Sequence, residues 1–339
     1  MIQAHPRTPS GVAETAAGAP PTGERRAWVE QIMGLPVSIH LRGDGARSET
    51  AASHVEVAFD ELRAIDALFS TYRADSLLSL VQRGELPLTG THPLLDEVVG
   101  LCATAKDLTG GDFDAWRPVR TDASPEQTRP GDGDASGPRQ FDPTGLVKGW
   151  AVQRAAERLV AGVGCDVMVN AGGDIAVRPG SRSGSGAASD RTVRADRSPH
   201  EPWQVGIEDP HDPHQVLAVI PVTAGGVATS GSARRGQHIV DPRDGSPVPD
   251  AVLSVTVVGP SLIWADVLAT AAFVRAGRQS IEASAAGAMK LGQHAVALVQ
   301  DLAGYEALAV GTDGSVTTTT GLSSGHPHPS CPAPSSVGG

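Results

Sequence analysis

The sequence is poor in aromatic residues and in cysteine. Aromatic side chains make up 4% of the 339 residues, so a hydrophobic core has to be built mainly from aliphatic side chains. The three cysteines, Cys102, Cys165 and Cys331, are an odd number and contain no CxxC pair. This usage excludes a disulfide framework and a zinc site of the usual spacing.

Positive charge is also scarce. The chain has 27 Lys and Arg against 38 Asp and Glu, which gives a net charge of −11 at pH 7. A general nucleic-acid surface needs clustered Lys and Arg against the phosphates, so we expect no nucleic-acid partner. An anionic substrate would have to find its positive charge in a few local side chains or in a metal ion.

Long hydrophobic runs are absent as well. No segment approaches the ~18 consecutive apolar residues of a membrane helix, which predicts no membrane insertion. Residues 1–26 have neither the apolar centre of a signal peptide nor an early lipidation cysteine of the lipobox type. These absences predict a cytoplasmic protein.

Four stretches are low in sequence complexity. Residues 1–26 and 312–339 are rich in Gly, Pro, Ser, Thr and Ala, which predicts disordered ends. Residues 121–140 and 180–200 are polar and are interpreted as surface loops inside a domain. The remaining chain, residues 27–311, is predicted to form one large domain.

The ordered part mixes helical and strand periods. Helical spacing of apolar residues predicts helices in four segments, which are residues 54–72, 92–111, 147–162 and 261–277. Short β-branched and apolar runs predict strands at residues 167–170, 203–209, 216–222, 253–259, 295–301 and 306–311.

The connections between these elements indicate the fold class. Short links join 203–209 to 216–222 and 295–301 to 306–311, which favours antiparallel pairing. We therefore predict an α+β fold, a single domain with a mixed, mainly antiparallel sheet and flanking helices. A double glycine follows one strand, but no GxGxxG is present, so a dinucleotide-binding parallel fold is disfavoured.

The segment "WADVLAT" suggests a metal site. Asp266 and Thr270 are four residues apart and would lie on one face of a helix that is otherwise apolar. A carboxylate and a hydroxyl in such a place suit a hard cation such as Mg²⁺, which takes oxygen ligands. The alternative is that Asp266 is exposed and that Thr270 bonds back to a helical carbonyl.

The segment "FDPTGLVKGWAV" suggests a phosphate contact. Asp142-Pro143 marks a turn, Gly145 permits close approach of the backbone, and Lys148 opens the helix. A lysine is disfavoured at the positive end of a helix unless it reaches an anion, and helix N-termini bind phosphates. An ordinary surface lysine is the alternative.

The segment "GVATSGSARRGQHIVDPRDGSPV" combines donors with a histidine. Thr229, Ser230 and Gly231 offer hydroxyl and amide donors, and His238 precedes a turn at residues 241–245. Asp241 could orient the His238 ring. The alternative is a hairpin that carries a structural histidine.

Two further features suit a flat ligand. The segments around Tyr72, Phe113 and Trp116 place aromatic rings beside polar residues, where they could stack on a planar ligand or form ordinary core. In "VMVNAGGDIAV", Gly172 and Gly173 interrupt an apolar strand, which permits close approach of the main chain to a ligand or marks a bulge. The aspartate after them would bond the ligand or fix the turn.

Together these segments resemble the ApbE family of FAD:protein FMN transferases. Nine pieces match in sequence order between about Met33 and Gly277: "MGLPVSIHL", "FSTYRADSLLSL", "TGGDFDAWRP", "FDPTGLVKGWAV", "VNAGGDIAV", "PWQVGIEDP", "VATSG", "HIVDPRDGSPV" and "ADVLATAAFVRAG". The resemblance implies a Mg²⁺-dependent enzyme that splits FAD. It attaches FMN through a phosphoester to a Ser or Thr hydroxyl of a client flavoprotein, and AMP leaves.

The resemblance also implies the site residues. It gives the metal to Asp266, Thr270 and the carbonyl of Gly145, and it makes His238 the catalytic base beside a catalytic Lys148. It assigns flavin-nucleotide contacts to Met33, Tyr72, Phe113, Asp114, Lys148, Asn170, Ala171, Gly172, Gly173, Asp174 and Thr229. Two alternatives stay open, a Mg²⁺-dependent FAD pyrophosphatase that gives FMN and AMP, and a non-catalytic protein that binds and delivers FAD.

Overall fold

An antiparallel sheet organises the computed structural model, which describes residues 24–119, 138–181, 200–234, 236, 238–283 and 291–323. The strands are β1 (Arg25–Ile32), β2 (Leu35–Arg42), β3 (Trp116–Pro118), β4 (Arg139–Phe141), β5 (Asp166–Ala171), β6 (Asp174–Arg178), β7 (Trp203–Asp209), β8 (Asp212–Val222), β9 (Gly225–Gly231), β10 (Val252–Gly259), β11 (Glu306–Gly311) and β12 (Val316–Thr318). Eight of them form one sheet in the order β1-β2-β5-β6-β9-β10-β11-β12. Every neighbouring pair in it is antiparallel. The pairs β3–β4 and β7–β8 are separate two-stranded sheets.

Helices cover this sheet and make the fold α+β, as predicted. They are α1 (Glu49–Phe69), α2 (Leu77–Gln82), α3 (Pro93–Thr109), α4 (Thr144–Val163), α5 (Leu262–Ala283), α6 (Leu291–Gln300) and α7 (Thr320–Ser323). The signals for α1 and α3 are local. Ser48 caps α1 by accepting a hydrogen bond from Ala51, and α3 ends at Gly110, which adopts a left-handed conformation with φ 62°.

Two hydrophobic clusters lie on the sheet. The large one packs α1, α4 and α5 against it and contains Phe59, Trp150 and Phe273. The smaller one joins β7 and β8 to the sheet through aliphatic side chains such as Val177, Val205 and Val222. The predicted hairpin of residues 203–209 with 216–222 is therefore confirmed, and it forms its own layer on the sheet.

The predicted strand at residues 295–301 is wrong, and so is its hairpin with 306–311. Residues up to Gln300 form α6, which packs beside β11. Gly292, Ala295, Val296 and Val299 are buried, a spacing of three and four that a helix places on one face. The run "AVALV" is apolar throughout, so its composition fits either a strand or a buried helix.

The start of helix α4 also differs from the prediction. Helix α4 begins at Thr144, so Lys148 lies one turn inside the helix instead of opening it. Asp142 satisfies the start of this helix by accepting hydrogen bonds from the backbone N–H and the hydroxyl of Thr144, at 3.0 and 2.6 Å. Asp142 thus satisfies one of the free N–H groups in the first turn of α4.

The stretches predicted as disordered ends contribute strands. Arg25 and Arg26 begin β1 and pair with Arg42 and Leu41, and β12 and α7 lie beyond Gly311. Residues 1–23 and 324–339 are outside the described residues, as is most of the predicted loops 121–140 and 180–200. Across the described ranges, none of the helices combines the length and the apolar character that crossing a membrane requires.

Candidate active site

A cavity of about 1340 Å³ opens where the turns between strands meet α4 and α5. Its walls come from the β1–β2 turn, the segments after α1 and α3, the start of α4, the β5–β6 turn, β9, the residues around 238, and α5. Thirteen of the predicted site residues line it: Met33, Tyr72, Phe113, Asp114, Gly145, Lys148, Asn170, Gly172, Gly173, Thr229, His238, Asp266 and Thr270.

A lysine between two buried carboxylates forms the floor of this cavity. The Lys148 ammonium forms an ion pair with Asp174 and lies 3.9 Å from Oδ1 of Asp266. The side chains of Asp174 and Asp266 are 1% and 4% exposed. Buried carboxylates require a cation or hydrogen-bond donors, because desolvation of an ionised group costs several kcal/mol. Lys148 is thus a half-buried charge partner of two carboxylates, and the surface-lysine alternative is wrong.

Backbone and hydroxyl groups complete the surroundings of Asp266. The N–H of Gly149 donates to Oδ2 of Asp266 at 3.2 Å. The Thr270 hydroxyl lies 2.9 Å from the Ser230 hydroxyl on β9. Asp266 is therefore not on an exposed face, and Thr270 faces the neighbouring strand, as the metal interpretation of this helix requires.

Hydrogen bonds connect the adjacent strands β6, β9 and β10 beside the cavity. The backbone N–H of Thr229 lies 3.4 Å from Oδ1 of Asp174. The Thr229 hydroxyl lies 2.8 Å from that of Thr256 on β10. Asp174 thus contacts both β9 and Lys148. It does not line the cavity itself.

The double glycine forms the tight turn between β5 and β6. Gly172 and Gly173 have φ angles of 61° and 102°, in the region that favours glycine. Asn170 holds the turn by accepting the Gly173 N–H through Oδ1 at 2.9 Å. The main chain of the turn faces the cavity. Ala171 is 1% exposed and packs in the core, so the structure places it away from the cavity.

The β1–β2 turn presents a strained residue to the cavity. Met33 has a φ of 56°, an uncommon conformation for a residue with a side chain. Its N–H donates to Oδ2 of Asp66 on α1 at 3.2 Å. Asp66 also lines the cavity. It was not predicted, because it lies among the polar residues of an ordinary amphipathic helix.

The aromatic residues fall into two classes. Phe113 is 6% exposed and packs beside Gly145, where a Cβ would lie 3.2 Å from the Phe113 ring. Tyr72 is 99% exposed at the rim. Trp116 stacks edge-on against Phe141, with ring centroids 5.6 Å apart. Of the predicted aromatic residues that line the cavity, Tyr72 is therefore the exposed one, and Phe113 forms part of the wall.

His238 is exposed and lines the cavity. Its Nδ1 lies 3.0 Å from the carbonyl oxygen of Gly236. A carbonyl only accepts hydrogen bonds, so Nδ1 carries a hydrogen and the neutral ring presents Nε2 as the acceptor. The expectation that Asp241 orients this ring is wrong, because the Asp241 carboxylate binds Arg278 at 2.8 and 2.9 Å.

Several arginines near the cavity were missed. Asp112 is 3% exposed and pairs with Arg243, Arg275 and Arg278. Neither Asp112 nor these arginines were predicted, since ion pairs between distant segments leave no periodic signal in a sequence.

The oxygen donors at the floor fit a magnesium ion. Within the described ranges, no group of three or more His, Cys, Asp and Glu side chains is placed to hold a metal ion. Asp266, Thr270 and Gly145 line one cavity and supply a carboxylate, a hydroxyl and a carbonyl oxygen. Mg²⁺ takes one or two carboxylates with waters and substrate phosphates, so this donor set fits it. The Lys148 ammonium shows that the place favours a cation.

Comparison with known proteins gives a consistent result. The model of the ApbE family matches residues 116–291. An FAD:protein FMN transferase from Salmonella typhimurium is 36% identical over 90 residues, which cover 24% of this chain and 25% of the relative. One from Treponema pallidum is 30% identical over 192 residues, covering 54% of this chain and 47% of the relative. The chain thus matches less than half of the length of either curated relative.

The fold is shared with a solved structure. The crystal structure of the ApbE protein from Thermotoga maritima superposes with a TM-score of 0.64 at 20% identity, covering 88% of this chain and 98% of the other. This similarity extends well beyond the residues matched by the family model, and it concerns the fold.

Proposed function

Because the chain belongs to the ApbE family, we propose that it is a Mg²⁺-dependent FAD:protein FMN transferase. FAD is cleaved at its pyrophosphate, FMN is joined by a phosphoester to a Ser or Thr hydroxyl of a client flavoprotein, and AMP leaves. The observation that carries the proposal is the Lys148 ammonium between buried Asp174 and Asp266 at the floor of a cavity of about 1340 Å³.

Charge is the main obstacle to this reaction. The pyrophosphate of FAD is a dianion, and the chain carries a net charge of −11. Fixed positive groups aimed at the reacting phosphates lower such a barrier. Lys148 lines the cavity and is 22% exposed, so its ammonium is available to a phosphate oxygen while Asp174 holds it in place.

The metal would be held by Asp266, Thr270 and the Gly145 carbonyl. When bound, a magnesium ion supplies charge neutralisation at the pyrophosphate. Hydrogen bonds already hold two of these proposed ligands in position. The Gly149 N–H orients the Asp266 carboxylate, and the Ser230 hydroxyl orients that of Thr270.

The flavin half requires flat, close contacts. The turn at Gly172 and Gly173 brings main-chain atoms to the cavity wall, and the exposed Tyr72 ring lies at the rim. Asn170 keeps the turn closed through Gly173, so the wall is preformed. These features support a planar ligand attached to phosphates.

His238 is the proposed base for the acceptor hydroxyl. As the acceptor oxygen bonds to the FMN phosphorus, the bond from that phosphorus to the AMP phosphate oxygen breaks. The acceptor proton passes to Nε2, which the Gly236 contact leaves as the acceptor atom. His238 is exposed, which suits a group that addresses an incoming client protein.

The test incubates the purified protein with FAD, Mg²⁺ and a candidate client flavoprotein, then measures flavin fluorescence on the denatured client and free FMN and AMP in solution. Client-bound flavin with one AMP per flavin supports the proposal. FMN and AMP without client-bound flavin would instead show a pyrophosphatase. FAD binding without AMP release would show a carrier.

A further inference from the structure

One guanidinium group joins three parts of the chain that border the cavity. Arg278 lies on α5, and its Nε and Nη2 donate to the two carboxylate oxygens of Asp241 at 2.8 and 2.9 Å. Its Nη1 donates to Oδ1 of Asp112. The planar fork of arginine matches a carboxylate in this two-point geometry, which fixes orientation as well as distance.

Asp241 lies in the segment of residues 238–248, which we call the His238 segment, and forms hydrogen bonds within it. The backbone N–H of Asp241 donates to Ser246 at 2.8 Å, and its carbonyl accepts from Gly245 at 2.8 Å. The only regular pairing that the structure describes within this segment is the single bridge between Val240 and Pro247. The segment therefore depends on side-chain contacts for its position. Arg139 donates to the carbonyl of Pro242 at 2.7 Å and Arg243 lies 3.7 Å from Asp112, but the Asp241–Arg278 contact is the two-point, bidentate one.

The other end of the connection is Asp112. It is 3% exposed and directly precedes Phe113 and Asp114, which line the cavity. Arg275, one turn before Arg278 on the same helix, also binds Asp112 and donates to the carbonyl of Thr109 at 3.3 Å. Arg275 thus holds Asp112, and Arg278 adds the link to Asp241.

The contact is largely withdrawn from water. The side chains of Arg278 and Asp241 are 13% and 15% exposed. Burial raises the pKa of Asp241, but the hydrogen bonds from Arg278 and from the Arg243 backbone outweigh it, so the pKa lies below its usual value. An ionised, bidentate pair at this depth constrains geometry far more than an exposed ion pair does.

We propose that Arg278 is a positioning residue that fixes the His238 segment against Asp112 and against helix α5. Because α5 also carries Asp266 and Thr270, this contact ties the position of the base to the position of the proposed metal ligands. Arg278 is not among the residues that line the cavity. The catalytic part of this inference rests on the proposed function, whereas the structural part does not.

The first experiment measures position without activity. Backbone amide hydrogen exchange is compared in the wild-type protein, Arg278→Lys and the matched control Arg275→Lys. Lysine keeps the charge but loses the two-point contact. We expect exchange at Asp241, Gly245 and Val248 to accelerate on the order of tenfold in Arg278→Lys and to stay at the wild-type rate in Arg275→Lys. Equal protection of the segment in all three proteins would overturn the proposal.

The second experiment tests whether Arg278 acts through His238. Single-turnover transfer of flavin to the client flavoprotein is measured at saturating FAD and Mg²⁺ for wild type, Arg278→Lys, His238→Ala and the double variant. We expect Arg278→Lys to slow turnover on the order of 10- to 100-fold, with unchanged FAD Kd. In the His238→Ala background the same change should have almost no further effect. An equal loss with and without His238 would contradict the positioning role.

The two experiments separate the two proposals. A wild-type protein that does not cleave FAD refutes the proposed function, while the exchange result still decides whether Arg278 holds the segment. If Arg278→Lys is poorly folded by circular dichroism, Asp241→Asn replaces it, because the amide keeps the shape of the side chain and removes the charge. Faster exchange in the His238 segment of Asp241→Asn supports the contact, and unchanged exchange overturns it.

Discussion

A Cβ atom on Gly149 would lie 2.9 Å from Oδ2 of Asp266, so the missing side chain at Gly149 sets how closely the carboxylate approaches α4. The same Cβ would lie 3.3 Å from the carbonyl of Leu262, at the start of α5. Two helices and a carboxylate therefore meet at a position that only glycine fits. This meeting point keeps Asp266 in hydrogen-bond contact with the Gly149 N–H.

We predict that Gly149→Ala displaces Asp266 and destabilises the protein. Overpacking of a well-filled site costs about 1–3 kcal/mol, and the displaced carboxylate should weaken Mg²⁺-dependent turnover. Thermal unfolding and a Mg²⁺ titration of FAD cleavage measure the two effects.

The matched control is Gly100→Ala on α3, where a Cβ would meet nothing within 4 Å. That change should stabilise the helix by about 0.5–1 kcal/mol. Equal behaviour of the two variants would contradict the packing argument.

The sequence predicted those elements whose signals are local. Helix α3 carries a proline at its start and Gly110 at its end, so its bounds could be inferred from capping chemistry. Helix α6 has neither signal near its apolar run, and a buried run of that length does not reveal its period. The helical conformation of this segment is determined by its packing beside β11. That contact is a tertiary one and cannot be inferred from the local sequence.

The same division holds in the candidate site. Asp266 and Thr270 are one helical turn apart, so their common face was predictable from spacing. Their partners, Gly149 and Ser230, lie 117 and 40 residues away in the chain. The three-part contact of Arg278 spans 166 residues to Asp112. Such contacts are set by tertiary packing, which a single sequence does not encode in any short motif.

We predict that Asp266→Asn abolishes Mg²⁺-dependent turnover while the fold persists. The amide keeps the size of the side chain but removes the charge that a hard cation requires. FAD cleavage is measured over a Mg²⁺ titration, and circular dichroism monitors the fold. Asp107→Asn on the exposed face of α3 is the control and should behave as wild type. A wild-type rate at every Mg²⁺ concentration in Asp266→Asn would show that the metal is not held there.

We predict that the contribution of Asp241 to stability is lost in acid. Its pKa lies below the usual value in the folded protein, because the hydrogen bonds from Arg278 and Arg243 outweigh the effect of burial. A carboxyl group with a lowered pKa stabilises the fold above its unfolded pKa of about 3.9, and this contribution disappears as the pH falls through the folded value.

The measurement is the difference in Tm between wild type and Asp241→Asn. We expect wild type to have the higher Tm at pH 6 and the difference to shrink steadily below about pH 4. A Tm difference for Asp241→Asn that is constant from pH 6 to pH 3 would contradict the ion-pair explanation.

The last prediction concerns His238. A Thr or Ser hydroxyl is a poor nucleophile at neutral pH, so transfer benefits from a base that accepts its proton as the new P–O bond forms. The Gly236 carbonyl holds Nδ1 and leaves Nε2 to accept that proton. We therefore expect His238→Ala to slow flavin transfer by roughly 10²–10⁴, the usual contribution of a general base. FAD affinity should stay near that of wild type, because the proposed partner of the ring is the acceptor hydroxyl and not the nucleotide.

The assay is single-turnover transfer to a client flavoprotein at saturating FAD and Mg²⁺, from pH 5.5 to 9, with FAD binding measured separately by titration. His214→Ala is the control, since His214 is exposed on β8 and lies outside the cavity. The wild-type rate should depend on one ionisation that His238→Ala lacks and His214→Ala retains. A His238→Ala protein that transfers flavin within a few-fold of wild type with the same pH profile would falsify the base assignment. Loss of FAD binding in that variant would instead make His238 a nucleotide contact, because the ring would then act before the acceptor arrives.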